Sequence, residues 1–131
     1  MNAMTEAIPD IRQPYLDGLK AGKLMFQRCK ACGNAWLPAR SECPKCLSPD
    51  CEWVAASGDA MLVSWVVYHR AFNEAFKTRV PYTVAVVQLN EGARMISNVV
   101  GADPTTLKID QALKLQIDRE GEVFVPRFKP A

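Results

Sequence analysis

Two Cys-x-x-Cys pairs, Cys29-Lys-Ala-Cys32 and Cys43-Pro-Lys-Cys46, lie ten residues apart in the chain. A tight turn around each pair places two sulfurs on one side of a metal ion, and a second such turn completes a tetrahedron. Gly33 directly follows the first pair, where its conformational freedom lets the backbone turn and aim amides at the sulfurs. Pro44 fixes one dihedral of the second turn, but Leu47 stands where a matching glycine is expected. Cys29, Cys32, Cys43 and Cys46 are therefore the candidate metal ligands. Four thiolates saturate zinc and leave no position for water or substrate, so the metal is expected to be structural. Its binding free energy, on the order of 10 to 16 kcal/mol, folds modules too small to own a core. Iron in a rubredoxin-like site satisfies the same ligand set, which makes an electron carrier the rival reading. Arg28, Lys30, Arg40 and Lys45 are available to offset the negative site, and the fifth cysteine, Cys51, stands apart as a bystander.

The elements around this motif are small. Residues 10–22 read as a short helix, with Asp10 to cap it, Pro14 tolerable in the first turn and Gly22 to close it. Tyr15, Leu16 and Leu19 share a face, although Gly18 weakens the helix by about 1 kcal/mol. Such a helix needs a surface to pack on, its own domain or a partner. Residues 23–29 form a short extended lead into the first cysteine pair, and Ser48 to Trp53 reads as a turn. From there the pattern is β: residues 58–72, 80–90 and 94–102, with Asn90-Glu91-Gly92-Ala93 as a hairpin turn, then 113–118 and 120–128. Leu107 to Ala112 fits either state. The fold class expected is mainly β: an N-terminal helical segment at residues 1–24, a rubredoxin-like zinc ribbon at 25–51, and a C-terminal five-stranded OB-fold barrel at 52–131. A small sandwich is the structural alternative.

At 131 residues, 49% of them hydrophobic, the chain suits one small domain with a module attached. Its formal charge of +2 speaks against strong whole-molecule attraction to nucleic acid or anionic lipid. The first residues lack the basic and apolar regions of a secretory signal, and no apolar run is long enough to span a bilayer. A cytoplasmic location is the expectation, and there paired cysteines are more often metal ligands than disulfides.

Catalytic sets are scarce. His69 is the single histidine, and none of Asp59, Glu74 or Glu91 has motif spacing to it. Gly-rich phosphate loops, nucleophile elbows and paired carboxylates are missing from the sequence, so stand-alone thioesterase or synthase activity is not expected. Arg70, Lys77 and Arg79 fall beside Phe72, Phe76 and Tyr82, with His69 at the strand's end. Together they form a candidate site for a phosphorylated, partly apolar ligand, while an exposed loop explains the same residues.

Several blocks taken in order carry a family resemblance: Leu16-Asp-Gly-Leu-Lys-Ala-Gly-Lys-Leu24, the two cysteine pairs, residues 52–72, residues 80–92, Ser97-Asn-Val-Val-Gly101 and Val125-Pro-Arg-Phe-Lys-Pro130. Over residues 15–130 the chain resembles the zinc-ribbon/OB-fold proteins associated with acyl-CoA enzymes. The resemblance implies a non-catalytic accessory subunit of a hetero-oligomer, docking on a thiolase-like or MaoC-type hydratase partner. It further implies a structural zinc at the four cysteines and a contribution to acyl-CoA binding, with strand blocks around Trp65, His69, Pro81, Tyr82 and Asn98 carried over. Leu47 departs from the commoner ribbon turn. A nucleic-acid-binding module is the alternative, since ribbons and OB-folds both occur in such proteins. Yet beyond Cys46 the basic and acidic residues nearly balance, and no basic stripe is present.

Overall fold

The computed structural model describes residues 10–68 and 82–131. Helix α1 spans Gln13–Lys20, with Pro14 in its first turn as expected. Asp10 acts two residues further out than the cap position, which Arg12 holds. Its carboxylate accepts from the Arg12 amide at 2.9 Å and its carbonyl from the Gln13 amide at 3.0 Å. The helix ends where Gly22 turns left-handed at φ 81°. There the Lys23 amide donates to the Gly18 carbonyl at 2.8 Å, and the Gly22 amide to Leu19 at 3.1 Å. Gly18 also has a packing role: a Cβ there would collide with Met25 Cγ, so the missing side chain lets β1 approach the helix.

Strand β1 (Met25–Cys29) is the centre of a three-stranded antiparallel sheet, flanked by β2 (Ala35–Trp36) and β3 (Cys51–Ala55). The turn expected over 48–53 is confined to its first residues. From Cys51 the chain is paired with β1, Cys29 opposite Cys51 and Phe26 opposite Val54, because the return segment satisfies the free edge of β1.

The second sheet holds β4 (Asp59–Tyr68), β5 (Tyr82–Leu89), β6 (Arg94–Ser97), β7 (Ala112–Glu120) and β8 (Val123–Pro130), in the order β6-β5-β4-β7-β8. Strict alternation in β5 buries Thr83, Ala85, Val87 and Leu89 and turns Tyr82, Val84, Val86 and Gln88 outward. A bulge between Leu62 and Ser64 bends β4, which helps the sheet curl. The two edges meet through a parallel bridge between Val99 and Phe128. Phe128 donates to the Asn98 carbonyl at 2.9 Å and accepts from the Val100 amide at 2.8 Å. This connectivity is that of an OB-fold. Pairing of β7 with β8 is reinforced by buried Arg127, held by Asp118 and Glu120 at 2.9 Å each.

The segment that fits either state by sequence is neither helix nor strand at its centre. A 3-10 turn at Pro104–Thr106, capped by Asp103, precedes buried Leu107. Asp110 and Gln111 then bond to Leu62 across the sheet, at 2.8 and 3.0 Å.

One core serves both sheets. Leu62, Val87, Leu89, Leu113 and Phe128 from the barrel pack with Phe26 and Leu24 from the ribbon side and Leu19 from α1. The far end of the ribbon has its own cluster of only Cys29, Trp36 and Cys43, with Cys51 against it.

Candidate metal centre

The two cysteine turns are built alike. In the first, the Gly33 amide donates to the Cys29 carbonyl at 2.9 Å, and Cys29 donates to Asn34 at 2.8 Å. In the second, the Leu47 amide donates to Cys43 at 2.9 Å and Cys43 to Ser48 at 2.9 Å. Each turn aims an amide at its leading sulfur: Cys32 N–H at Cys29 Sγ and Cys46 N–H at Cys43 Sγ, both at 3.4 Å. Cys43 Sγ also faces the Lys45 amide at 3.3 Å and the Asn34 side-chain amide at 3.8 Å.

The four sulfurs lie within 4.8 Å of one another, with Cys29 and Cys46 at 3.6 Å and Cys32 and Cys43 at 3.7 Å. A tetrahedral site with zinc–sulfur bonds of about 2.3 Å has an edge of about 3.8 Å, so the cluster has the dimensions of the ion. Cys29 and Cys43 are buried, while Cys32 and Cys46 reach the surface. Burial raises the Cys43 thiol, but the amides of Cys46 and Lys45 more than offset it and bring it down to about 6. For Cys46 the Ser48 amide lowers the value, but crowding by Cys29 together with burial pushes it up to about 12. Cys43 is thus disposed to carry charge and Cys46 to resist it, an asymmetry that a divalent cation removes.

Fixed backbone dipoles, rather than the flanking cations, supply the visible compensation. Lys30 is turned to Asp50 at 4.0 Å, and the Arg28 guanidinium lies over the Phe26 ring at 5.2 Å. Among the described residues no Arg or Lys side chain bonds a sulfur. Gln27 supports the site from beneath: its side-chain oxygen accepts from Trp36 Nε1 at 2.9 Å and the Arg40 amide at 2.7 Å, while its Nε2 donates to the Arg40 carbonyl at 2.9 Å. This buried glutamine ties the loop between the cysteine pairs to β1, and no signal in the sequence distinguished it from a surface residue.

Of the candidate ligand residues, His69, Arg70, Phe72, Lys77 and Arg79 lie outside the described residues, as does Pro81. Tyr82 opens β5, half-buried, its ring stacked on Tyr68 at 5.4 Å between centroids.

The sequence matches the rubredoxin-like zinc ribbon domain of ChsH2 over residues 16–52 and the ChsH2 C-terminal OB-fold domain over residues 53–118. The chain belongs to this family. Its ribbon therefore carries structural zinc, at a cluster whose geometry fits the ion. Similarity extends to the DUF35 domain-containing scaffold protein of Methanothermobacter thermautotrophicus, 35% identical over 115 residues, covering 82% of this chain and 86% of that one. A probable enoyl-CoA hydratase alpha subunit of Thermomonospora curvata is 35% identical over 118 residues. That match covers 89% of this chain, which spans only 36% of the relative's length. Among solved structures, the Ltp2-ChsH2(DUF35) aldolase contains a chain that superposes with a TM-score of 0.82 at 34% identity, covering 95% of this chain and 97% of that one. As for membranes, none of the described helices is long and apolar enough to cross one.

Proposed function

We propose that this ChsH2-family chain is a non-catalytic accessory subunit of an enzyme acting on acyl-CoA, with a thiolase- or aldolase-type protein or a MaoC-type hydratase as partner. The observation that carries this reading is the end-to-end correspondence with the ChsH2(DUF35) chain of the Ltp2-ChsH2 aldolase, 97% of which is covered. The scaffold and hydratase-subunit names of the relatives point the same way. The chemistry of the metal centre agrees: a zinc enclosed by four thiolates organises structure and offers no open coordination position.

In this reading the helical segment (1–24) and ribbon (25–51) dock on the partner, and the barrel (52–131) lies beside the acyl-CoA. The CoA phosphates would be met by Arg70, Lys77 and Arg79, with His69, Phe72 and Tyr82 beside the rest of the ligand. A cytoplasmic setting suits both the thiols and the substrate class.

Affinity capture from the native cell extract tests the reading. A stoichiometric acyl-CoA enzyme whose activity needs this chain is the expected result. An isolated chain that turns over an acyl-CoA by itself, or one that recovers oligonucleotide with steep salt dependence, refutes it. For the ligand residues, unchanged CoA affinity in the assembled complex after replacing Arg70, Lys77 and Arg79 together removes that assignment.

A further inference from the structure

A groove of about 450 Å³ runs between α1, the segment following β2, and the β5–β6 hairpin. Tyr15, Leu37 and Pro38 form one wall; Val86, Met95 and Ile96 form the other. Ile96 is 73% exposed, and with Val86 and Met95 it makes this wall of the groove apolar.

The β6 wall is also a sheet edge. Leu89 donates to the Ala93 carbonyl, so in this register Ala93, Met95 and Ser97 exchange hydrogen bonds with β5. The amide and carbonyl groups of Arg94 and Ile96 consequently point out of the hairpin. Farther along, Asn98 and Val100 use such outward groups to close the barrel on Phe128. One step earlier β8 presents Pro126, which has no N–H to offer the Ile96 carbonyl. The Pro126 carbonyl is itself taken by the Ser97 hydroxyl at 2.9 Å. The closing ladder stops there. Among the described residues, the outward backbone groups of Arg94 and Ile96 have no backbone partner.

Charge narrows the occupant. Arg12 lines the groove but is already paired with Asp10 at 3.0 Å. Arg94 uses only its Nε, on Gln88 at 2.9 Å, and no described carboxylate pairs with it. A helix laid in this groove would bring no free backbone groups to the edge; an extended segment would bring both donors and acceptors.

We propose that the groove is a strand-addition site, in which an extended apolar segment of the partner subunit, with a carboxylate for Arg94, pairs with the outer edge of β6 at Arg94–Ile96. The proposal rests on the accessory-subunit reading and names the surface through which it works.

The test is amide-resolved hydrogen exchange on the full chain, alone and in the complex isolated with its acyl-CoA enzyme. Slowing of the Arg94 and Ile96 amides by roughly tenfold or more in the complex alone is the expected result. With it, Ile96→Asp should weaken association roughly 10- to 100-fold, while Val123→Asp, at another exposed apolar position, should leave it unchanged. A stoichiometric complex in which these amides exchange as in the free chain overturns the strand-addition site and leaves the accessory reading intact. Failure to obtain any such complex overturns both. Protection already present in the free chain also overturns it, whether it vanishes on deleting residues 1–9 or on dilution. The occupant would then be the chain's own start or a second copy.

Discussion

Leu47 holds the same left-handed backbone position in the second cysteine turn that Gly33 holds in the first, at φ 64° and 80° respectively. Both amides reach back to the carbonyl of the leading cysteine at 2.9 Å. The glycine absent from the sequence is therefore not absent from the geometry; leucine adopts its conformation at a cost of about 1 kcal/mol. Leu47 is 67% exposed, so its side chain recovers little of that cost by packing. Leu47→Gly should raise the melting temperature of the zinc-loaded protein by roughly 3 °C. Gly33→Ala should lower it by a similar amount, since a Cβ there meets nothing within 4 Å and only the backbone objects. Calorimetry on the pair checks this; a Leu47→Gly protein that melts earlier refutes it.

Gln27 is the polar keystone beneath the metal. Replacing it with Leu keeps the volume but orphans the Trp36 indole N–H and the Arg40 amide. Two buried donors without acceptors should cost about 2–4 kcal/mol. Urea denaturation at saturating zinc measures this directly, and a loss below about 0.5 kcal/mol would show that water replaces the glutamine oxygen.

Gly18→Ala should destabilise the protein even though alanine is the better helix former. The added methyl meets Met25 Cγ and, at 3.1 Å, the Lys23 carbonyl. Overpacking of this kind costs about 1–3 kcal/mol, more than the gain of about 1 kcal/mol in helix propensity. Because Met25 is the first obstacle, Met25→Ala should recover part of the loss, giving a non-additive double-mutant cycle. Additive single effects would place the strain elsewhere.

Zinc should be retained at neutral pH and released only as the solution is acidified below about pH 6, because the bound ion holds the thiolates against protons more strongly than the empty site does. The Cys43 thiol is depressed from its ordinary 9.0 to about 6. A depressed acid contributes stability above its unfolded value and loses it as pH falls through the folded one, which here adds to direct proton competition for the metal. Because the distal ribbon cluster contains little besides Trp36 and cysteines, metal loss should also change Trp36 fluorescence. A chromogenic zinc assay across pH checks both; complete release above pH 7 would contradict the expectation.

Much of this architecture could be read before any coordinates. Two Cys-x-x-Cys turns constrain their chemistry through spacing alone, and the alternation of Tyr82–Leu89 declares a strand with one buried face. What escaped was set by partners distant in sequence. Cys51–Ala55 is a strand because β1 has an edge to fill, while Ser48-Pro49-Asp50 just before it suggested a longer turn. Ala35–Trp36 is too short to show any period. Gln27 looks like an ordinary surface residue until Trp36 and Arg40 converge on it. The groove draws on residues 12, 15, 37–39, 86 and 94–96, segments that only the fold brings together.

The packing of α1 against β8 has a consequence for the chain during its synthesis. All four metal-binding cysteines have been made by residue 46, whereas Phe128 follows 82 residues later. The ribbon turns can thus take up their ion on the ribosome while the barrel is still a set of unjoined hairpins. The helix is made earlier still and can lean on β1 at once, yet its contacts with β8 must wait for residues 123–130, so that side of it stays unsheltered until the strand emerges.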